Sequence, residues 1–411
     1  MTHDDHRPGD APLGRLAGSL RREVAGYAIP LLPDALRSRF VPPRYRWSHA
    51  DLRPVATATP ASTRLLVARA NYAGQGHQWA RSAETIPGVS AVNLHFRPDG
   101  NTTRGPSDFS VRKAVGESSH IWARRQRKAI LQSFTHVLIE AELPILGPLY
   151  GGDLVREVHE FQDAGIKVAF VSHGSDTRLP SMHRELEPHS PFHSDLDGLT
   201  QVLEDKVRKN FELMDELALP EFVSTPDLLT FRPNASWLPV VTTPDRWAKP
   251  TPTRLTSERL VVAHVPGGQP ILKGSASIAP TLRRLHDEGV IEYVELKGVR
   301  YEDMPARLAA ADVVVNQVDM GLYAAIAVEA MLSGRVVVSH VWDSVRERIR
   351  SRTDTDLPII QADRNDLYDV ISDIATNREK YADYGQKSRE FALDAHSRKH
   401  AGLVLKDFLE S

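Results

Sequence analysis

The sequence predicts an α/β protein of two Rossmann-like domains whose parallel sheets face each other across a cleft. Three observations predict it. Short, continuously apolar runs alternate with amphipathic segments from Arg64 onward, the pattern of strands covered on both faces by crossover helices. The alternation breaks between residues 239 and 256, where proline-rich sequence without periodicity reads as an interdomain linker. A chain of 411 residues with 41% hydrophobic content is also long enough to bury two or three cores.

Residues 1–60 read as an N-terminal extension, partly disordered or helical. "DHRPGDAP" lacks the apolar content for a core, and Leu13, Leu16, Leu20, Val24, Tyr27 and Leu31 then recur at helical spacing until Pro30 and Pro33 end the pattern. Such a helix either packs on the body of the protein or lays its arginines on anionic lipid. Residues 61–240 form the first domain. Its strands are "RLLVARA", "VSAVNLHF", "THVLIEA", "IKVAFVS" and "EFVST", separated by helices and by a polar insert over 177–199. Residues 257–395 form the second, with strands "RLVVAHV", "VIEYVEL", "DVVVNQV", "RVVVSHV" and "LPIIQA". A closing helix occupies 396–411.

Composition excludes several classes. The formal net charge of −2 provides no field for nucleic acid, and the absence of cysteine removes disulfides, thiolate metal sites and cysteine nucleophiles. No apolar run reaches membrane-span length, and "MTHDDHRPGD" is not a signal peptide, so the expectation is a soluble cytoplasmic protein.

Ligands of open parallel sheets collect at the carboxyl ends of strands, where helix N-termini present free N–H groups. "DVVVNQVDMGLYAAIAVEAM" fits that geometry. Gly321, Ala324 and Ala325 leave room for a ligand at the backbone, and Glu329 lies two turns further, where a carboxylate can accept from ribose hydroxyls. The alternative is that the alanines serve helix packing and Glu329 faces solvent. In "HVPGGQPILKG", Lys273 opens a helix, a position a cation occupies favourably only beside an anion. In the first domain "NYAGQGHQWA" carries Trp79 where a dinucleotide fingerprint needs its third glycine, which argues against NAD. His173 and Asp176 stand just beyond a buried strand, and Glu140 and Glu142 beyond another. His183, His189, His193, Asp195 and Asp197 are of metal-ligand type, but proline interrupts them and no helical His-x-x-x-His is formed, so no metal is expected.

The second domain resembles the donor-binding domain of family 4 retaining glycosyltransferases of the GT-B fold. Lys273-Gly274, "AADVVVNQV", "EAMLSGRVVV" and the C-terminal "HSRKHAGLVLKDFL" carry the resemblance, which spans residues 64–410 and is most specific over 312–338. It implies a metal-independent, hexosyl-type transfer from a UDP or GDP sugar to a hydroxyl acceptor, without cofactor, in glycan or cell-envelope polysaccharide synthesis. It is compatible with a saccharide or lipid-linked acceptor and with peripheral association at the inner membrane face.

By resemblance, Glu329 holds the ribose, Lys273 the diphosphate, and the amides of Tyr323, Ala324 and Ala325 the leaving phosphate. Val299 and Arg300 lie near the nucleobase. Gly74 and Gly76 form a loop facing the cleft, His173 meets sugar or acceptor, and Asp176 and Glu140 bind acceptor hydroxyls. Two departures stand out. Gly321 occupies the place of the first glutamate of the family's pair, which usually meets the sugar, and "PGGQPIL" lacks the usual basic residue. These departures keep open a non-catalytic GT-B subunit that binds a partner or glycan; a third reading is a GT-B nucleotide-sugar epimerase, which would draw its acids from Glu140 and Glu142.

Overall fold

A computed structural model of the chain describes residues 47–48, 50–98, 105–266, 272 and 274–411. The predicted helix of the extension and Lys273 lie outside the described residues.

Seven parallel strands form the first sheet: β1 (Thr63–Arg69), β2 (Val89–Arg97), β3 (Phe109–Arg112), β4 (His136–Glu140), β5 (Lys167–Ser172), β6 (Glu221–Val223) and β7 (Ser236–Trp237). Their order is β3-β2-β1-β4-β5-β6-β7. The helices of six residues or more are α1 (Gln75–Ala83), α2 (Lys113–Ser118), α3 (His120–Ser133), α4 (Leu154–Asp163), α5 (Pro180–Leu186) and α6 (Leu199–Leu217). The second sheet has five parallel strands: β8 (Leu260–His264), β9 (Ile291–Glu295), β10 (Val313–Val315), β11 (Val336–Ser339) and β12 (Ile359–Gln361), in the order β12-β11-β10-β8-β9. With it come α7 (Ser275–Asp287), α8 (Met304–Ala309), α9 (Ala325–Leu332), α10 (Asp343–Thr353), α11 (Leu367–Thr376), α12 (Tyr384–Ala395) and α13 (Arg398–Glu410). The architecture is the predicted one, two parallel-sheet α/β domains. The four-residue β3, the two-residue β7, α2, α5 and α10 go beyond the elements predicted.

Both faces of each sheet are covered, and the two-residue period of a strand divides the core. In β1, Leu65 and Val67 join a cluster with Trp79 and the apolar face of α13, while Leu66 and Ala68 join Trp122 and Phe161 on the other side. The final helix therefore returns from the second half to cover the first sheet. Gly402 permits its close crossing with α1, because a Cβ there would lie 2.3 Å from Thr85 Oγ1 and 2.6 Å from the Ser82 carbonyl.

The proline-rich stretch is packed rather than free. Val240, Val241, Trp247 and Leu255 are buried. Gln75 exchanges two hydrogen bonds with the Val241 backbone, Trp79 Nε1 donates to the Pro239 carbonyl at 3.0 Å, and the Thr253 N–H donates to Gly334 at 2.9 Å. The polar insert is also structured. It contributes α5 and crosses to the second sheet, where Phe192 packs with Met320 and Leu322.

The direction in which successive strands are added reverses in the first sheet between β1 and β4, and in the second between β8 and β10. In doubly wound sheets, these switch points open crevices at the strands' carboxyl ends.

Candidate functional site

The two crevices open onto one cleft of about 800 Å³. Arg69 to Gly74, after β1, line it on one side; Val265, after β8, and Ala324 to Ile326, at the start of α9, line it on the other.

On the second-sheet side, buried polar residues shape the turn after β10. Ser339 Oγ donates to the Gln317 carbonyl at 2.9 Å, Asn316 donates to Ser339 Oγ at 3.2 Å, and the Gln317 amide donates to the Leu322 carbonyl. Gly321 has φ of 65°, and a Cβ on it would lie 2.1 Å from the indole of Trp342. It is buried and does not line the cleft. Tyr323 is buried as well. Its hydroxyl meets His396 Nε2 at 3.1 Å, while His396 Nδ1 donates to the Val240 carbonyl at 2.7 Å, so Nε2 accepts. Burial pushes His396 down to about 4, which keeps the ring neutral for that role.

Helix α9 begins at Ala325, after an extended Ala324 that offers no side-chain cap. No described residue accepts from the N–H groups of Ala325 and Ile326. The N–H groups of Tyr323 and Ala324, just before the helix, likewise have no acceptor among the described residues. Glu329 lies one turn on and faces the cleft, half-buried. Val299 lines the cleft, whereas the exposed Arg300 turns to Asp303 at 2.9 Å. Its neighbour Tyr301 lines the cleft with the Arg246 guanidinium 3.7 Å from its ring centroid. A basic residue in the proline-rich stretch gave no hint in sequence of this long-range stacking.

On the first-sheet side, Gly74 lines the cleft, and a second layer stands behind the loop. Glu140 is fully buried and accepts the Asn71 N–H, with both carboxylate oxygens 3.0 Å from that nitrogen. His173 Nε2 lies 3.2 Å from the same carboxylate. The His173 ring is packed between Tyr72 and Trp79, with centroids at 5.0 and 5.1 Å. Gly76 makes this possible, since a Cβ there would lie 2.8 Å from the Glu140 oxygens. Asp176 is buried and accepts from the His173 and Gly174 N–H groups at 2.8 and 2.6 Å. Glu142 is buried beside it, and burial, then the Asp176 charge, holds its carboxyl well above the usual range. His173, Asp176 and Glu140 thus come together behind Asn71 to Gly74, and none of the three lines the cleft.

The insert's histidines go to separate contacts. His183 reaches Ser190 Oγ and the Met320 carbonyl, His189 meets Asn365, and His193 meets the Glu187 carbonyl. Asp319 is paired with Arg364 at 2.8 Å. Among the described residues no helix is long and apolar enough to cross a membrane.

No family model matches the chain, and no curated protein matches it. Solved structures do. Sucrose-phosphate synthase from Thermosynechococcus elongatus is 12% identical with a TM-score of 0.52, over 84% of this chain and 98% of that one. HepE from Anabaena, in complex with UDP, is 11% identical with a TM-score of 0.50, over 84% and 99%. An alpha-glucosyltransferase in complex with UDP-glucose and DNA containing an abasic site is 11% identical with a TM-score of 0.53, over 84% and 99%. At such identity the likeness establishes the fold, which is GT-B.

Proposed function

We propose that this protein is a retaining glycosyltransferase that moves a sugar from a nucleoside-diphosphate sugar to a hydroxyl acceptor. The segment 257–395 takes the donor and 61–240 the acceptor. The observation that carries the reading is the uncapped start of α9 at Ala325 and Ile326, opening on an interdomain cleft with Glu329 one turn behind. Two convergent N–H groups and a helix dipole stabilise the charge that develops on a departing diphosphate. Glu329 accepts from the ribose hydroxyls, and Val299 and Tyr301 flank the base. Lys273 adds a cation to the diphosphate. His173, oriented by Glu140, sets the loop carrying Gly74 against sugar and acceptor, and Asp176 fixes the turn that holds it. Complexes of neighbouring folds with UDP, as in HepE, support a nucleotide donor.

A second reading, a non-catalytic GT-B subunit, is favoured by one feature. Trp342 occupies the space beside Gly321, where the resembled family places a sugar-binding carboxylate. Calorimetry with UDP, GDP and ADP, followed by release of the diphosphate from a panel of nucleotide sugars with and without added saccharide acceptors, separates the two. Binding with acceptor-dependent release supports the transferase. Binding of a nucleotide without turnover of any sugar supports the subunit, and absence of binding removes the transferase.

A further inference from the structure

Across the cleft from α9, the first sheet presents a charged cluster that the donor site does not use. Arg69 ends β1, His95 and Phe96 lie in β2, and Lys113 and Glu117 lie on α2; all five line the cleft. The Arg69 guanidinium sits 4.6 Å from the centroid of Phe96, and the residue is 8% exposed. Its Nη1 donates to Glu117 Oε1 at 3.1 Å, and Lys113 Nζ stands 3.8 Å from the same oxygen. Two cations therefore share one carboxylate. Arg69 Nε is buried without a hydrogen-bond partner.

Among the described residues no other acid completes the pairing. The Glu157 charge also acts on Arg69, but its oxygens accept from the Ile145 and Leu146 N–H groups at 2.7 and 2.8 Å. Burial pushes its carboxyl up to about 7, so near neutrality it supplies only part of a charge. His95 is pushed down by burial and serves as a neutral hydrogen-bonding group, not a third cation. A buried arginine with an unsatisfied N–H is strongly disfavoured unless something anionic completes it. The planar guanidinium fork fits an oxyanion with two acceptor oxygens.

We propose that Arg69 and Lys113 form the subsite for an anionic group, a phosphate ester or a carboxylate, carried by the acceptor. This rests on the glycosyltransferase reading for the word acceptor, while the anion site itself does not. The Phe96 ring supports the Arg69 guanidinium from beneath, and half-buried His95 is the neighbouring cleft wall for the sugar bearing that group. Placement on the first-sheet wall, opposite the uncapped amides of α9, keeps the anion apart from the donor diphosphate.

The test is calorimetry on the full chain with glucose, glucose 6-phosphate and glucuronate, each with and without UDP. A charged sugar is expected to bind at least tenfold more tightly than glucose, and whichever is preferred identifies the group. Arg69→Gln should erase that preference while leaving UDP affinity within about twofold. Lys113→Gln, at an exposed position that tolerates change, should reduce it several-fold and guards against misfolding of the arginine variant. Equal binding of glucose and both charged sugars, failure of both charged sugars to bind at millimolar concentration, or an Arg69→Gln loss that falls equally on UDP overturns the proposal. If UDP fails to bind while the charged sugars bind through Arg69, the donor reading falls and the anion site stands.

Discussion

Replacing Glu187 with glutamine is expected to loosen the insert from the second sheet by about 2–3 kcal/mol at pH 7. Glu187 follows α5, and its Oε2 meets His340 Nε2 at 2.6 Å and Trp342 Nε1 at 2.9 Å, both just after β11 of the second sheet. Its Oε1 accepts the His189 N–H at 2.9 Å. The Gln361 carboxamide oxygen accepts from the Val341 N–H and Arg346, so its NH2 faces His340 Nδ1 at 2.8 Å. Nδ1 therefore accepts, and Nε2–H donates to Glu187. A glutamine keeps one acceptor oxygen and turns an NH2 toward the remaining donors, losing at least one charge-assisted bond of about 1.5–3 kcal/mol. Linkage reaches a similar size. Burial alone would raise the Glu187 carboxyl, but hydrogen bonds from His340, the His189 amide and Trp342 outweigh it and hold the group down to about 2, against a usual 4.5. At about 1.4 kcal/mol per pH unit, the difference is roughly 3 kcal/mol as an upper value. Because the folded-state value is depressed, this stabilisation is complete above about pH 4.5 and is lost as pH falls toward about 2. Urea unfolding of both proteins at pH 7 and pH 3, followed by tryptophan fluorescence, measures it. The gap should narrow by about 1.5–2 kcal/mol at pH 3. A gap below about 0.5 kcal/mol at pH 7, or one that widens in acid, refutes the latch.

Glu329→Ala should weaken binding of the preferred nucleoside diphosphate at least tenfold, about 1.4 kcal/mol, by calorimetry. An unchanged affinity would remove Glu329 from the donor site. Gly321→Ala combines a positive φ with a Cβ 2.1 Å from the Trp342 indole, so it should destabilise by about 2–5 kcal/mol in thermal unfolding. For the same reason Gly321→Glu alone should not raise turnover; a gain without a change at Trp342 would show that the space is open. Gly76→Ala presses on the Glu140 carboxylate and should cost about 1–3 kcal/mol. Steady-state kinetics should then show a higher KM with loosened Asn71–Gly74 geometry, and wild-type stability and KM would contradict the packing.

Strand positions and sheet type were accessible to sequence reading because burial on both faces writes itself as continuous apolar runs. Val313–Val315 and Val336–Ser339 are entirely buried, as their composition demands. The helix start after β10 was legible from the same alternation, whereas the use of its glycine was not: Gly321 is packed against the Trp342 indole. Edge strands β3 and β7 were not, because four and two residues are too few to establish a period.

The sequence by itself determined the alternation of elements, the two parallel sheets and the strand ends at which a ligand can gather. Only the tertiary structure decided which polar residues face the cleft. Glu140 and His173 were read as cleft groups from their place beyond strands, yet they pair behind the Asn71–Gly74 loop. Arg69 is an arginine within an apolar run that the chain brings beside Glu117, 48 residues away. Glu187 joins His340 across 153 residues. Apolar burial is a property of one segment and leaves a period in its sequence. A polar pairing belongs to two segments and leaves none, so its partner exists only once the chain has folded.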